Sequence, residues 1–266
     1  VCSSDLENGG AIVNTSGGSL TLNQGLFTTN SASDDGGAIQ NFGSLIVLDV
    51  AGTGTQFLSN EAGTDVGSSA NDNGDGGAIF NRDGTVEIHS ATFTLNRSHG
   101  NAGVIFNDGD GALTIQRSTF DRNSADGKGG ALVNNDTAQT TIDETTFSNN
   151  TATGDGGAIY NNSEFTSGSV LSLTIADTTL NNNKASRGGA IFNSTAGGMT
   201  LTNSTLSANV ATVNGGGLTN FGVATLLSDT LYLNDAPVGA GIANNIGGVP
   251  PFGPATLKNK IGRAHV

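Results

Sequence analysis

The sequence predicts an all-β fold, a right-handed parallel β-helix of about nine coils with about 27 residues in each coil. Three observations support this fold. The motif Gly-Gly-Ala-Ile-x-Asn recurs along the chain, a second motif Phe/Leu-x-x-Asn follows it in phase, and apolar residues alternate with polar ones inside each repeat. Sequence repeats of about 20–50 residues are typical of solenoids. Alternation with a period of two is typical of strands rather than helices.

The first motif marks the start of each coil. Well-formed copies occupy residues 9–14, 36–41, 76–81, 129–134, 156–161 and 188–193, and looser copies occupy 102–107, 215–220 and 239–244. Successive copies are separated by 27, 40, 26, 27, 27, 32, 27 and 24 residues. Because glycine has no Cβ, the pair lets the chain turn tightly into the strand that follows. The Ile or Leu at the fourth position is expected to point inward.

The second motif predicts a second inward column. Its copies are Phe27/Asn30, Phe57/Asn60, Phe93/Asn96, Phe120/Asn123, Phe147/Asn150, Leu180/Asn183, Leu206/Asn209 and Leu231/Asn234. We assign most of the phenylalanines of the chain to this column. An aliphatic pair such as Leu113/Ile115 precedes each copy. Each repeat is therefore predicted to contain three strands of about 4–6 residues, stacked at about 4.8 Å on the strands of the next coil.

The asparagine that ends the first motif recurs in every copy. We expect these side chains to stack at one corner of the coil and to hydrogen-bond to one another and to the turn backbone. They are interpreted as structural ladders rather than as ligand-binding groups. The column consists of Asn14, Asn41, Asn81, Asn107, Asn134, Asn161, Asn193, Asn220 and Asn244.

The ends of the chain depart from this pattern. Residues 7–246 are predicted to form the β-helix domain, and residues 247–260, with three prolines in 250–254, to form an irregular Pro/Gly-rich tail. Residues 1–6 and 261–266 can be encoded by nearly reverse-complementary DNA that resembles a sequencing adapter. We therefore interpret both hexapeptides as assembly scars. On this interpretation the natural chain is an internal fragment, and Cys2 is not natural.

The composition excludes several classes of partner. The formal net charge is −13, with 10 Lys and Arg against 23 Asp and Glu. Nucleic acids and anionic lipids need clustered basic residues, so neither is an expected partner. No apolar run is long enough for a membrane-spanning helix. The expected partner is a cell-surface, glycan or protein ligand whose identity the sequence does not give, and no cofactor is predicted.

An acidic column precedes the glycine pair and is the best candidate for chemistry. It contains Asp35, Asp75 and Asp155, but Lys128 and Arg187 interrupt it. Asp is a usual turn residue before Gly, and we prefer this structural interpretation. The alternative is a polysaccharide lyase or hydrolase, which needs clustered carboxylates. Three coil-adjacent carboxylates with a basic residue on one outward face would favour the enzyme, and an outward face of Thr, Ser and Asn would favour a stalk.

Other candidate sites are weaker. Residues 71–76 loosely resemble a calcium loop, but Arg82 stands where an EF-hand needs a bidentate Glu. A weak surface calcium site using Asp72 and Asp75 remains open. His99 is interpreted as a surface turn residue, because no matching Arg-x-Lys or paired Asp on neighbouring coils accompanies it in the sequence. The chain has no Trp and only two Tyr for sugar stacking. We therefore predict no catalytic residue.

The 40-residue step between the second and third copies indicates an insertion within residues 50–75. Insertions in solenoids map to loops on one face, which is often the binding face. This segment is either a binding loop or a decorative loop. A shorter insertion occupies residues 163–169.

Gly-Gly-Ala-Ile and Phe-x-x-Asn, repeated in this order over residues 7–246, resemble the repeats of the polymorphic outer-membrane proteins of chlamydiae and of related bacterial surface proteins. The resemblance implies a β-helix like an autotransporter passenger, exported to the cell surface for adhesion or display. The predicted function is therefore a non-catalytic extracellular or outer-membrane stalk of a bacterium. A fragment of a polysaccharide-degrading β-helix enzyme is the alternative.

Overall fold

The computed structural model describes residues 7–49, 52, 54–64, 74–162, 172–195, 197–245 and 255–261. In these residues every regular element is a strand, and no helix is long and apolar enough to cross a membrane. The strands pair in parallel with their equivalents one turn away, for example Leu132 with Ile159. This confirms the all-β parallel solenoid. The nine described strands that begin the coils bound eight turns, one fewer than the predicted nine coils. The right-handed winding stays a prediction.

Seven of the eight turns contain four strands, and in the eighth a single strand, Val223–Tyr232, replaces the second and third, so the prediction of three strands per coil was wrong. The four strands of one coil are Ile105–Asp108, Ala112–Gln116, Thr119–Asp121 and Ser124–Ala125. The fourth strand has only two residues in most coils, and a segment this short shows no measurable alternation in the sequence. The equivalent strands of successive coils form four stacks, which we number in chain order.

The first two stacks contain the longer strands. The first stack consists of Ile12–Asn14, Ile39–Asn41, Ile79–Arg82, Ile105–Asp108, Leu132–Asn134, Ile159–Asn161, Ile191–Asn193, Leu218–Asn220 and Ile242–Asn244. The second stack consists of Ser19–Asn23, Ser44–Leu48, Thr85–His89, Ala112–Gln116, Gln139–Asp143, Leu173–Ala176, Gly198–Thr202, the first part of Val223–Tyr232, and Ala255–Ile261. Ala255–Ile261 pairs in parallel with Val223–Tyr232, so the solenoid pattern returns within the segment predicted to be irregular.

The third and fourth stacks complete each coil. The third stack consists of Leu26–Thr28, Gln56–Leu58, Thr92–Thr94, Thr119–Asp121, Thr146–Ser148, Thr179–Asn181, Thr205–Ser207 and the last part of Val223–Tyr232. The fourth stack consists of Ser31–Ala32, Glu61–Ala62, Arg97–Ser98, Ser124–Ala125, Thr151–Ala152, Lys184–Arg187 and Val210–Asn214. The second and third stacks belong to one sheet because Val223–Tyr232 runs through both.

Single residues in the left-handed backbone region make the bends between the later stacks. Arg117, with a φ of 48°, ends the second stack in its coil, and Arg122, with a φ of 54°, ends the third. Seven coils repeat the second bend at Thr29, Ser59, Leu95, Asn149, Asn182, Ala208 and Leu233. A non-glycine residue in this region costs about 1–2 kcal/mol, so inter-coil pairing must offset this strain. Because the residue types vary, the sequence contains no signal for these bends.

The interior is one continuous apolar core. The Ile and Leu column of the first stack and the Phe and Leu column of the third stack both lie in it, as predicted. Phe27, Phe57, Phe93, Phe120 and Phe147 stack face to face, with ring centroids 4.6–4.8 Å apart and interplanar angles of 9–13°. The coils therefore repeat at the strand spacing with little rotation from one to the next.

A second apolar cluster lies outside the first stack. It contains Ala102, Val133, Phe221 and a column formed by Phe80, Phe106, Tyr160 and Phe192. These side chains point away from the core but are buried, with Phe80 and Phe192 only 4% exposed. Lys128 Nζ lies 4.6 Å from the Tyr160 ring centroid, and the Arg187 guanidinium lies 4.8 Å from that of Phe192. The assignment of most phenylalanines to the inward column was therefore wrong.

The 40-residue step between the second and third copies of the first motif has its extra residues in two places rather than in one. The strands Gln56–Leu58 and Glu61–Ala62 lie inside it and keep the register of the coil. The extra residues fall before Gln56 and after Ala62. Of these, residues 50, 51, 53 and 65–73 lie outside the described residues, as do residues 163–171 and 246–254.

Candidate functional site

The structure places the nine asparagines of the first motif in one ladder. From Asn14 to Asn220, each Nδ2 donates to Oδ1 of the asparagine in the next coil, at 2.7–3.2 Å. Most of these amides also donate to a carbonyl of the turn, as Asn134 does to Ala138 O at 3.1 Å. From Asn41 to Asn220 the side chains are fully buried. Their amides are saturated by one another and by backbone, which leaves no group free for a ligand.

A second asparagine ladder runs through the Phe/Leu-x-x-Asn motif, and sequence analysis did not assign it. The backbone N–H and Nδ2 of Asn123 both donate to Asn150 Oδ1, at 3.1 and 2.9 Å. Its Nδ2 also donates to Phe93 O in the preceding coil, at 3.1 Å. The pattern repeats from Asn30 to Asn234. The in-phase recurrence of this Asn was the available signal.

Hydroxyl groups form a third ladder at the bend between the second and third stacks. The backbone N–H of Ser118 donates to Thr145 Oγ1 at 3.3 Å, and that of Thr178 donates to Ser204 Oγ at 3.1 Å. Each of these hydroxyls also donates to the carbonyl two residues earlier, as Thr145 does to Asp143 at 2.8 Å. Three separate polar ladders therefore hold the coils in register.

The acidic column before the glycine pair also takes part in turn bonding. Asp35 Oδ1 accepts the N–H of Asp75 at 2.8 Å, and Asp75 Oδ1 accepts the N–H of Asn101 at 2.6 Å. Further along, Asp155 accepts two bonds from Arg187, at 2.8 and 2.6 Å. These bonds join each turn to the next coil, which supports the structural interpretation of the column.

An acidic groove of about 490 Å³ crosses the corner between the fourth and first stacks. Its carboxylates are Asp34, Asp35, Asp75, Asp108 and Asp126, and its basic side chains are Arg82 and His99. Asp108 faces Arg82 at 3.4 Å and accepts a hydrogen bond from Asn135 Nδ2 at 2.9 Å. The groove thus brings together groups from several coils that are far apart in the sequence.

Asp75 is an acid of the groove whose pKa is raised by burial. Burial raises its pKa to about 6, which outweighs the lowering effect of its hydrogen bonds from Asn101, while the charges of Asp108 and Asp34 raise it further. The folded chain therefore favours the protonated carboxyl more than the unfolded chain does. Such a group contributes stability below the unfolded pKa of about 3.9, and this contribution is lost as pH rises through about 6.

We expect Asp75→Asn to stabilise the protein at pH 8 by up to about 2 kcal/mol, because the amide is never charged and its oxygen can still accept from Asn101. The gain should shrink as pH falls from 6 to 4. Denaturant unfolding of both proteins across this range checks the prediction. A constant difference between the two curves would contradict it.

His99 lies in a charged cluster rather than alone. Its Nε2 lies 2.9 Å from Glu61 Oε1 in the preceding coil, and its Nδ1 lies 3.2 Å from Asp126 Oδ2 in the next. Arg97 Nη2 contacts the same Asp126 oxygen at 2.8 Å. The sequence did not place Glu61 or Asp126 beside His99. Glu61 was missed because it sits inside the step lengthened by insertions.

Only one of the two residues of the candidate calcium site, Asp75, lies in the part of the chain that the structure describes. Asp75 lies in the acidic groove, and Asp72 lies outside the described residues. Among the residues that the structure describes, no group of three or more His, Cys, Asp or Glu side chains is arranged to hold a metal ion.

The outward face of the second and third stacks is lined by threonine. One row in the second stack pairs in register through Thr114, Thr141, Thr174, Thr200 and Thr225. A second row in the third stack pairs through Thr92, Thr119, Thr146, Thr179, Thr205 and Thr230. We call these the first and second threonine rows. The signal for the second row is present in the sequence, because Thr stands one residue before the Phe or Leu of the second motif in the last six of its eight copies.

The Chlamydia polymorphic membrane protein repeat matches the chain at residues 117–135, 144–162 and 177–194. Each matched segment contains one Phe/Leu-x-x-Asn motif followed by one Gly-Gly motif. No curated protein and no solved structure matches the chain. Three segments of this parallel β-solenoid are therefore similar to the repeat of the Chlamydia polymorphic membrane proteins.

Proposed function

We propose that this chain is a non-catalytic stalk displayed at a bacterial cell surface, similar to an adhesin or an autotransporter passenger. The observation that carries the proposal is its outward face, where the second and third stacks present rows of threonine. An outward face of this kind favours a stalk over an enzyme. The similarity of three segments to the repeat of a membrane protein family is consistent with a location at the cell surface.

The internal bonding fits the same role. A solenoid is stabilised by contacts between neighbouring coils, so its stiffness depends on how well each coil is joined to the next. Here the two asparagine ladders and the hydroxyl ladder join the coils on different sides of the rod. Such a rod can hold a ligand-binding surface away from a membrane.

Cleavage of a polysaccharide is the second candidate, favoured by the acidic groove. The groove combines Asp35 and Asp75 from adjacent coils with Arg82, and the raised pKa of Asp75 suits a general acid. Against this, Asp75 Oδ1 is engaged by Asn101, and Asp108 is engaged by Arg82 and Asn135. These carboxylates are thus used in holding the coils together.

One assay separates the two functions. The purified chain is incubated with polyuronates and neutral polysaccharides at pH 5, 6 and 8, with calcium added and omitted, and new reducing ends and unsaturated uronates are measured. We expect neither product. Release of product by the chain but not by Asp75→Asn would overturn the stalk in favour of the enzyme.

A second experiment tests adhesion itself. Beads coated with the chain should be retained on cell layers or glycan surfaces. Retention equal to that of uncoated beads would count against adhesion.

A further inference from the structure

The two threonine rows form a regular array with a measured repeat. The second row lies one residue before the inward Phe and Leu column, in which the rings of Phe93, Phe120 and Phe147 have centroids 4.6 Å apart with interplanar angles of 12–13°. The row follows the same backbone and therefore the same repeat. Its six threonines extend over roughly 24 Å at the usual strand spacing. The first row adds five more threonines on the adjacent stack.

The hydroxyls of both rows are available to a ligand. Within the described part of the chain none of them has a hydrogen-bonding partner in the protein, whereas the inward hydroxyls of Ser118, Thr145, Thr178 and Ser204 are fully engaged. Threonine is stiff at χ1 because it is branched at Cβ, so hydroxyl and methyl groups stay ordered along each row. Each row therefore presents alternating polar and apolar groups at fixed intervals.

Charge is nearly absent from the second row. In the seven separate strands of the third stack, Asp121 is the one charged side chain at an outward position, and Arg122 contacts it at 3.2 Å. Aromatic side chains are also scarce, since Tyr232 is the only exposed one among the described residues. Charged side chains lie beside the first row instead, as Arg117 and Glu144 do at the bend between the two stacks, where they are 3.7 Å apart and about half exposed. The second row is therefore the part of this face that suits an uncharged lattice repeating at the coil spacing, and such a ligand needs no stacking platform.

We propose that the threonine rows bind the surface of ice. The coil repeat is close to the repeat of water oxygens along one axis of hexagonal ice, so successive hydroxyls can occupy equivalent lattice positions while the methyl groups fit between them. Each contact is weak, but the rigid ladders fix all of them in advance, and little side-chain entropy is lost on binding. The inference concerns what this face binds and does not depend on the surface-stalk role.

The test measures ice recrystallisation on a cooling stage and adsorption of the fluorescently labelled full chain to a growing ice crystal. The chain should slow recrystallisation and enter the ice. Thr146→Lys places a long charged side chain in the middle of the second row and should abolish most of both effects. The control is Thr153→Lys, which makes the same substitution in the same coil at an exposed position off both rows. It should behave like the unsubstituted chain.

Melting temperatures of the two variants show whether each remains folded. The proposal is overturned if the unsubstituted chain has no effect on ice, or if Thr146→Lys and Thr153→Lys are equally active. A parallel arm measures retention on insoluble cellulose and chitin. If Thr146→Lys lost that retention while ice growth was unaffected by any of the three proteins, the rows would bind a crystalline polysaccharide instead, and the ice assignment would fall.

Discussion

Gly130→Ala is expected to destabilise the protein by about 3 kcal/mol or more, the upper range for forcing extra volume into a packed site. A Cβ at this position would lie 2.1 Å from Gly157 O and 2.7 Å from the backbone of Thr151. Both contacts are with backbone, so neither can be relieved by rotating a side chain. Only a separation of the coils would make room, and this would break the neighbouring ladders.

The matched control is Gly129→Ala, the other glycine of the same pair. Gly129 has a φ of +65°, so alanine there costs about 1–2 kcal/mol of backbone strain. Its Cβ would also lie 2.4 Å from Leu132 O, but this contact is within its own turn and not with the next coil. The chain itself contains this substitution once, since Ala102 occupies the equivalent position with a φ of 58°. At the second position the eight copies from Gly10 to Gly216 are all glycine.

Guanidinium unfolding followed by circular dichroism measures both variants. The second glycine should be at least as sensitive as the first in every coil, and Gly130→Ala clearly more so than Gly129→Ala. Equal losses would mean that strain and crowding within the turn itself, rather than the close approach of the next coil, explain the whole motif.

The sequence predicted the coil and its inward columns because these features repeat as residue types. Ile105, Phe120 and Asn107 each belong to a column whose chemistry is nearly constant, so periodicity alone places them. The glycine pair was recognised for the same reason, although its two members have different roles. Gly129 supplies a left-handed backbone, and Gly130 supplies space for the next coil.

The features that the sequence did not show depend on geometry between coils. Arg122 and Asn149 make equivalent bends but share no residue type, so no motif marks them. Phe106 follows an inward Ile and should face solvent by simple alternation, yet it is buried in the outer apolar cluster, where it stacks on Phe80. The acidic groove requires Asp75 and Asp126 to meet across a corner whose shape only the folded coil defines.

Asn123→Asp is expected to destabilise the protein by about 3 kcal/mol or more at pH 7, the cost of leaving a buried charge without a partner. The side chain is 1% exposed. One oxygen of the new carboxylate would still accept from Asn96 N and Nδ2. The other would replace the Nδ2 donor and would face Phe93 O and Asn150 Oδ1, which are both acceptors.

The pH dependence identifies this cause. Burial and the two facing acceptors disfavour the charged form, so the folded-state pKa of the new carboxyl should lie above its unfolded value of about 3.9. Stability of the variant relative to the parent should therefore be greatest below that value and should fall as pH rises through the folded pKa. At low pH the protonated oxygen can donate in place of the amide.

Asn182→Asp is the control for this substitution. Asn182 is exposed, has a φ of 54° and lies one residue before the ladder asparagine of its own coil, so the same chemical change is made outside the ladder. It should change stability by no more than about 0.5 kcal/mol at either pH. If Asn123→Asp were equally mild, the amide–amide bonds would add little to the stability of the rod. The coils would then be held in register by backbone pairing and the phenylalanine stack alone.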